Sequence, residues 1–149
     1  METFFLRHGD AVPEGERPLS EQGLKEMKRV ARWVKDHELG LSAIYSSPLL
    51  RARQTAEVVA EVLGLEVVVD AALDSGASLS GIAKLLDGRS PGDRVMLVGH
   101  EPDFSGMVGE LIGGGAVEMR KGGLARVESE CLKPGCGVLR WLLTPKTMG

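Results

Sequence analysis

The sequence predicts an α/β fold, a single-domain three-layer α/β/α sandwich with a mostly parallel central sheet and antiparallel strands at the C-terminal end. Three observations predict it. Short apolar runs alternate with segments of helical periodicity as far as Ile112, the pattern of strands joined by crossover helices. The last third then changes: Ala116–Met119, Leu124–Glu128 and Gly137–Leu143 read as strands joined by Gly/Pro turns. A chain of 149 residues with 43% hydrophobic content is sized for one core. No repeat, linker or low-complexity tract divides it, so residues 1–149 read as one domain.

The first strand is the apolar run Thr3–Leu6, which leads directly into Arg7-His8-Gly9-Asp10. Gly9 permits a sharp turn there. Arg7 and His8 are thereby expected at the carboxyl end of the strand, where open α/β sheets form their ligand crevice. A polar loop, Ala11 to Leu19, follows and contains Arg17-Pro18. Ser20 is a candidate N-cap for a helix reaching about His37. Leu24, Met27, Val30, Ala31 and Val34 form its apolar face. Lys25, Lys28, Arg29, Arg32 and Lys35 read as a solvated face, and Gly40 as the stop.

Leu41–Tyr45 is a second strand, after which Ser46-Ser47-Pro48 reads as strand end, N-cap and first helical position. That helix carries Arg51, Arg53, Gln54 and Thr55 and ends at Gly64. Glu66–Val69 is a third strand, followed by a loop from Asp70 to Ser78 and a small helix from Ser78 to Leu86. Arg94–Val98 is a fourth strand and runs into Gly99-His100-Glu101-Pro102. Phe104, Met107, Val108, Leu111 and Ile112 then recur at helical spacing until Gly113-Gly114-Gly115.

Eighteen basic against twenty-one acidic residues give a net charge of −3, so no global field favours nucleic acid or an anionic membrane. An anion site must therefore be a local arrangement of cations. The start, METFFLRHG, has no basic leader before a signal-length apolar segment, and no run reaches membrane-spanning length. The chain is expected to be cytoplasmic, with neither nucleic acid nor membrane as a partner. Cys131 and Cys136 flank a turn, Leu132 to Gly135. A disulfide would fit across it, but the expectation for a cytoplasmic chain is two reduced thiols. No His or Cys cluster nearby supplies the remaining ligands of a zinc site, and no metal is expected.

Arg supplies a permanent forked charge suited to phosphate, and His serves as nucleophile or proton carrier. Arg51 is the second cation. Its place in the first turn of a helix opposes the helix dipole by roughly 0.3–1 kcal/mol, unless a bound phosphate takes both the side chain and the free backbone N–H groups. Arg53, two positions on, points to another face. His100 is the second imidazole, again just beyond a buried strand. Two Arg and two His thus gather at one sheet edge. His37 ends a helix amid charge and reads as surface. The glycine triplet is not followed by Gly-Lys-Ser/Thr, so there is no P-loop, and no G-x-S-x-G elbow occurs.

Leu6-Arg7-His8-Gly9, the run Ser46 to Thr55 (SSPLLRARQT) and Val98-Gly99-His100 resemble, in order, the blocks of the histidine phosphatase superfamily, the phosphoglycerate-mutase-like fold. Arg17-Pro18-Leu19 and Gly23 fit as well. The short chain and the start Arg-His-Gly-Asp-Ala look most like the SixA-type phosphohistidine phosphatases. The resemblance implies a phosphatase without cofactor or metal, in which His8 is the nucleophile and becomes a phosphohistidine that water hydrolyses. It implies that Arg7, Arg51 and His100 hold the phosphoryl oxygens, with Gly9 also at the substrate. The general acid is less defined. Asp74 is the nearest match to the family's glutamate, an ordinary loop aspartate is the other reading, and Asp10 is an alternative carboxylate. The implied partner is a phosphohistidine-bearing phosphotransfer protein. Phosphatase action on small sugar or nucleotide phosphates, and non-catalytic phosphate binding, are the alternatives.

Overall fold

The computed structural model describes residues 1–149. Its strands are β1 (Glu2–Arg7), β2 (Ala43–Ser46), β3 (Val67–Val69), β4 (Arg94–Gly99), β5 (Leu124–Ser129) and β6 (Gly137–Leu143). Its helices are α1 (Glu21–Asp36), α2 (Leu50–Leu63), α3 (Leu79–Leu85) and α4 (Asp103–Leu111). All six strands form one sheet in the order β3-β2-β4-β1-β5-β6. The first four are parallel, and β5 and β6 add antiparallel to β1 and to each other. The expected α/β architecture is therefore present, parallel where helices intervene and antiparallel at the C-terminal end.

Alternation along the central strands explains the layers. Phe4 and Leu6 of β1 and Met96 and Val98 of β4 pack with Met27 and Val30 of α1 and Ala56 and Val59 of α2. The intervening Phe5, Val95 and Leu97 pack on the other face against Phe104, Val108 and Leu111 of α4 and Ile82 of α3. Both faces of these strands are covered, which is why they read as continuous apolar runs. Burying side chains of this size stabilises by roughly 1.5–3 kcal/mol each. Ser20 caps α1 as expected, accepting from Gly23 N–H at 3.0 Å. A Cβ at Gly23 would collide with the Asp10 carbonyl oxygen, so this glycine lets the loop after β1 lie on the start of α1. Leu24, expected on the apolar face, is exposed instead.

Four local expectations are corrected. Helix α2 starts at Leu50, with Leu49 at the N-cap and no side-chain cap, rather than being capped by Ser47. The Ser47 hydroxyl is drawn to His100, and Leu49 N–H donates to it at 3.2 Å. Ala116–Met119 is not a strand, because Met119 N–H donates to Ser105 Oγ and its carbonyl accepts from Arg7. Part of the loop after β3 winds into a 3-10 turn, Ala71–Leu73, with Asp70 accepting from Ala72 N–H and Leu73 buried. Cys131 and Cys136 are not free thiols but a disulfide, which the intervening turn permits by bringing their Cα atoms to 5.8 Å. No helix is long and apolar enough to cross a membrane.

Candidate active site

Strand register brings the site together. Arg7 of β1 lies beside Gly99 of β4, and Ser46 of β2 beside Val98. The chain ends of the three strands therefore place His8, Ser47 and His100 next to one another. His8 N–H donates to the Gly99 carbonyl at 3.1 Å and Ser47 N–H to the Val98 carbonyl at 3.0 Å. The ladders thus continue one residue past the strands and fix the backbone beneath each side chain.

His8 is 7% exposed. Its Nδ1–H donates to the Gly9 carbonyl at 2.7 Å, because a carbonyl can only accept. Nε2 then carries the lone pair, and Arg51 Nε–H donates to it at 3.3 Å. Burial lowers the imidazole pKa from 6.5 to about 4, with further depression by the positive surroundings of His100, Arg51 and Arg7 and opposition from the Gly9 carbonyl. At neutral pH this ring is uncharged, and its Nε2 lone pair can bond to phosphorus once Arg51 turns from it to a phosphoryl oxygen.

Gly9 contributes in a different way from the turn expected of it. It is not among the glycines with positive φ. What excludes a larger residue is space, since a Cβ would lie 2.8 Å from Met27 Cγ. Its N–H donates to Thr55 Oγ1 at 3.1 Å, and Thr55 Oγ1–H donates to the Arg51 carbonyl at 2.8 Å. Thr55 therefore ties the His8 loop to the turn of α2 that carries Arg51.

His100, 4% exposed, lies with its ring centroid 5.3 Å from that of His8. Its Nε2 is 2.7 Å from Ser47 Oγ, while its buried Nδ1 has no partner. Burial, then Arg51, depresses its pKa, and Asp74 and Asp103 act in the opposite sense.

Arg7 Nη1–H donates to the Met119 carbonyl at 2.8 Å, and its buried Nε has no partner. Burial and the nearby positive charge of Arg17 lower the Arg51 pKa, which Asp74 offsets in part. Arg17 is exposed, has φ of 55°, and adds a cation to this edge beyond the expected pair. Arg53, in contrast, turns back, and its Nε–H donates to the Pro48 carbonyl at 3.0 Å. His37 is exposed and stacks on Trp33 with centroids 4.0 Å apart, away from the site.

The two candidate carboxylates differ. Asp10 accepts from Ser20 Oγ–H at 2.7 Å and from Lys121 Nζ at 2.9 Å, and these bonds hold its pKa below the ordinary value. A carboxylate so held is a poor proton donor. Asp74 acts on both Arg51 and His100 electrostatically, raising their pKa against the depression by burial, and makes no hydrogen bond to either. Its loop is pinned by Asp103, whose Oδ2 accepts from Gly76 N–H at 2.9 Å and Ala77 N–H at 3.2 Å.

The structure thus gathers Arg7, His8, Arg51 and His100, with Asp74 at the margin and Gly9 underneath. Sequence reading missed Ser47, Thr55 and Met119 as supports, because their partners are 53, 46 and 112 residues away. Chemically, a neutral imidazole with a free nitrogen, two guanidinium groups and a second imidazole suit a tetrahedral oxyanion. No group of three or more His, Cys, Asp or Glu side chains able to hold a metal ion occurs.

The chain is similar to known proteins in sequence and in fold. Residues 3–75 match the model of the histidine phosphatase superfamily, branch 1. An uncharacterised protein of Picosynechococcus is 38% identical over 70% of this chain and 68% of its own length. Phosphohistidine phosphatase SixA of Escherichia coli K12 is 29% identical over 97% of this chain and 94% of its own. The solved structure of the protein histidine phosphatase SixA complexed with tungstate superposes with a TM-score of 0.89 at 26% identity, covering 100% of both chains. A family model matching residues 3–75, together with a full-length fold match, leads to one conclusion: this chain is a phosphatase that belongs to the histidine phosphatase superfamily.

Proposed function

We propose that residues 1–149 act as one cytoplasmic, metal-independent phosphatase domain that removes phosphate from phosphohistidine on another protein. The observation that carries this reading is the state of His8: buried, uncharged, and held by the Gly9 carbonyl so that Nε2 carries the lone pair, with Arg51 Nε–H at 3.3 Å. Nε2 attacks phosphorus, forming an N–P bond as the bond to the leaving group breaks. Water then attacks the phosphorus of His8, releasing inorganic phosphate and regenerating the imidazole. Arg7, Arg51 and His100 hold the equatorial oxygens and the two guanidinium groups offset their charge, so catalysis rests on positioning and electrostatics. Asp74 is the acid for leaving groups that need a proton, and a departing imidazole nitrogen needs it less.

Support for a protein substrate comes from two directions. Phosphohistidine phosphatase SixA of Escherichia coli is similar over nearly the whole chain, and the protein histidine phosphatase SixA structure matches over both full chains. Between β3 and β4 the chain has only the turn Ala71–Leu73 and the seven-residue α3 with which to roof the site. A small ligand is held by a pocket that buries most of its surface. A phosphoryl group presented on a protein brings its own contact area. The test is kcat/KM for a phosphorylated histidine phosphotransfer domain against a panel of sugar and nucleotide phosphates. The domain should be preferred by orders of magnitude, and an ester that equals it would establish the small-ester reading instead.

A further inference from the structure

We infer that Ser47 sets the tautomer of His100, donating its Oγ–H to Nε2 so that the ring presents a proton on Nδ1 to a phosphoryl oxygen. This rests on the phosphatase chemistry proposed above, but the hydrogen-bond count behind it does not depend on the substrate.

A serine hydroxyl donates once and accepts twice. Ser47 is fully buried, so water does not complete its bonding. Leu49 N–H donates to Oγ at 3.2 Å and fills an acceptor position. The one remaining partner is His100 Nε2 at 2.7 Å. If Nε2–H were the donor, the hydroxyl proton would point at nothing within a buried site. The buried, unpartnered Nδ1 would also be left as a lone pair, which would repel a phosphate oxygen brought beside it. If Oγ–H is the donor, both problems vanish, and the buried, unpartnered Nδ1 becomes an N–H that awaits an acceptor. Burial also disfavours the doubly protonated ring, which is the other way of placing a proton on Nδ1.

His8 provides the contrast. Its neighbour is a carbonyl, which accepts only, so the proton is drawn to Nδ1 on the side of the protein and the lone pair is left on Nε2. At His100 the neighbour is a hydroxyl that donates, so the lone pair is drawn to the protein and the proton is left on the ligand side. The two rings therefore have the same tautomer but turn opposite nitrogens to the site, one as nucleophile and one as donor. Ser47 is a positioning residue that makes the second histidine useful without needing a charge on it.

The experiment is nitrogen-15 NMR of ring-labelled protein, in which the three histidines are assigned by single His→Gln variants. Wild type should show His100 with a protonated Nδ1 and an unprotonated Nε2. In Ser47→Ala the proton should move to Nε2, and turnover of p-nitrophenyl phosphate should fall about 10–100-fold, the usual range for loss of an orienting partner. Ser47→Ala added to His100→Ala should cost nothing more, because the serine acts through that ring. A wild-type His100 protonated at Nε2, an unchanged tautomer in Ser47→Ala, or a further loss in the double variant would each overturn the inference. The spectrum needs no substrate, so its outcome is separate from any failure of the phosphohistidine reading, which the kcat/KM comparison reports.

Discussion

The His8 and His100 rings meet at the ends of β1 and β4 with centroids 5.3 Å apart and planes inclined by 57°. Each has one nitrogen tied to the protein, to the Gly9 carbonyl and the Ser47 hydroxyl respectively. The tilt leaves Nε2 of His8 toward Arg51, and the parallel pairing of β1 with β4 sets the spacing.

His8 should show an unusual acid limit. An imidazole with an ordinary pKa would lose its nucleophile below about pH 6.5. The His8 pKa of about 4 should keep activity flat down to about pH 5, with the fall centred near 4. The same shift affects stability. The unfolded chain binds this proton near pH 6.5 and the folded chain only near 4, so stability drops as pH falls between those values. The contribution is about 3 kcal/mol at most. His8→Asn should remove it, which urea titrations of both proteins at pH 7 and pH 4.5 would measure.

Arg51→Ala should reduce turnover about 10²–10³-fold, the usual consequence of removing one preorganised charge contact. Arg7→Ala should behave alike. Arg53→Ala should matter far less, because its guanidinium is turned onto the Pro48 carbonyl and not toward His8. Kinetics of the three variants on one substrate give the comparison. Equal losses at Arg51 and Arg53 would contradict the assignment.

Asp74→Asn should slow hydrolysis of alkyl phosphate esters by about 10²–10⁴-fold, the span of a general acid, while phosphohistidine hydrolysis changes little. An alkoxide needs a proton to leave and a ring nitrogen needs it less. Asp10→Asn should not reproduce this pattern, since Asp10 is held ionised by Ser20 and Lys121. Loss of the same size at both substrates for Asp74→Asn would remove it as the acid.

EDTA should leave activity unchanged, because the positive charge around the phosphoryl group comes from the Arg7 and Arg51 guanidinium groups. Assays before and after chelation and with added magnesium check this. A requirement for a divalent ion would contradict the electrostatic scheme.

Much of this site was legible in sequence for a local reason. Arg7-His8, Arg51 and His100 each follow a buried strand or open a helix, and apolar periodicity locates such boundaries. The supports were not legible, because they depend on strand neighbours far apart in the chain. Ser47 looks like a helix cap until β2 is placed beside β4, which gives its hydroxyl to His100. Met119 looks like part of a strand until Arg7 claims its carbonyl. The pairing of Cys131 with Cys136 is not legible either, because composition suggests a compartment and does not report the turn that places the two side by side. Arg17 lay in a polar loop whose return toward Arg51 no periodicity reports.

The most direct test of the account is transfer of the phosphoryl group to His8. A phosphotransfer domain carrying labelled phosphohistidine is mixed with the enzyme, quenched within milliseconds under alkaline denaturing conditions, and the label is mapped. The account predicts an acid-labile, alkali-stable phosphoryl group on His8 that forms and decays at rates compatible with turnover. His8→Ala should acquire no label and show no turnover, yet keep its fold and most of its affinity for inorganic phosphate through Arg7 and Arg51. Turnover by His8→Ala, or rapid wild-type turnover with no labelled enzyme at any time, would contradict it.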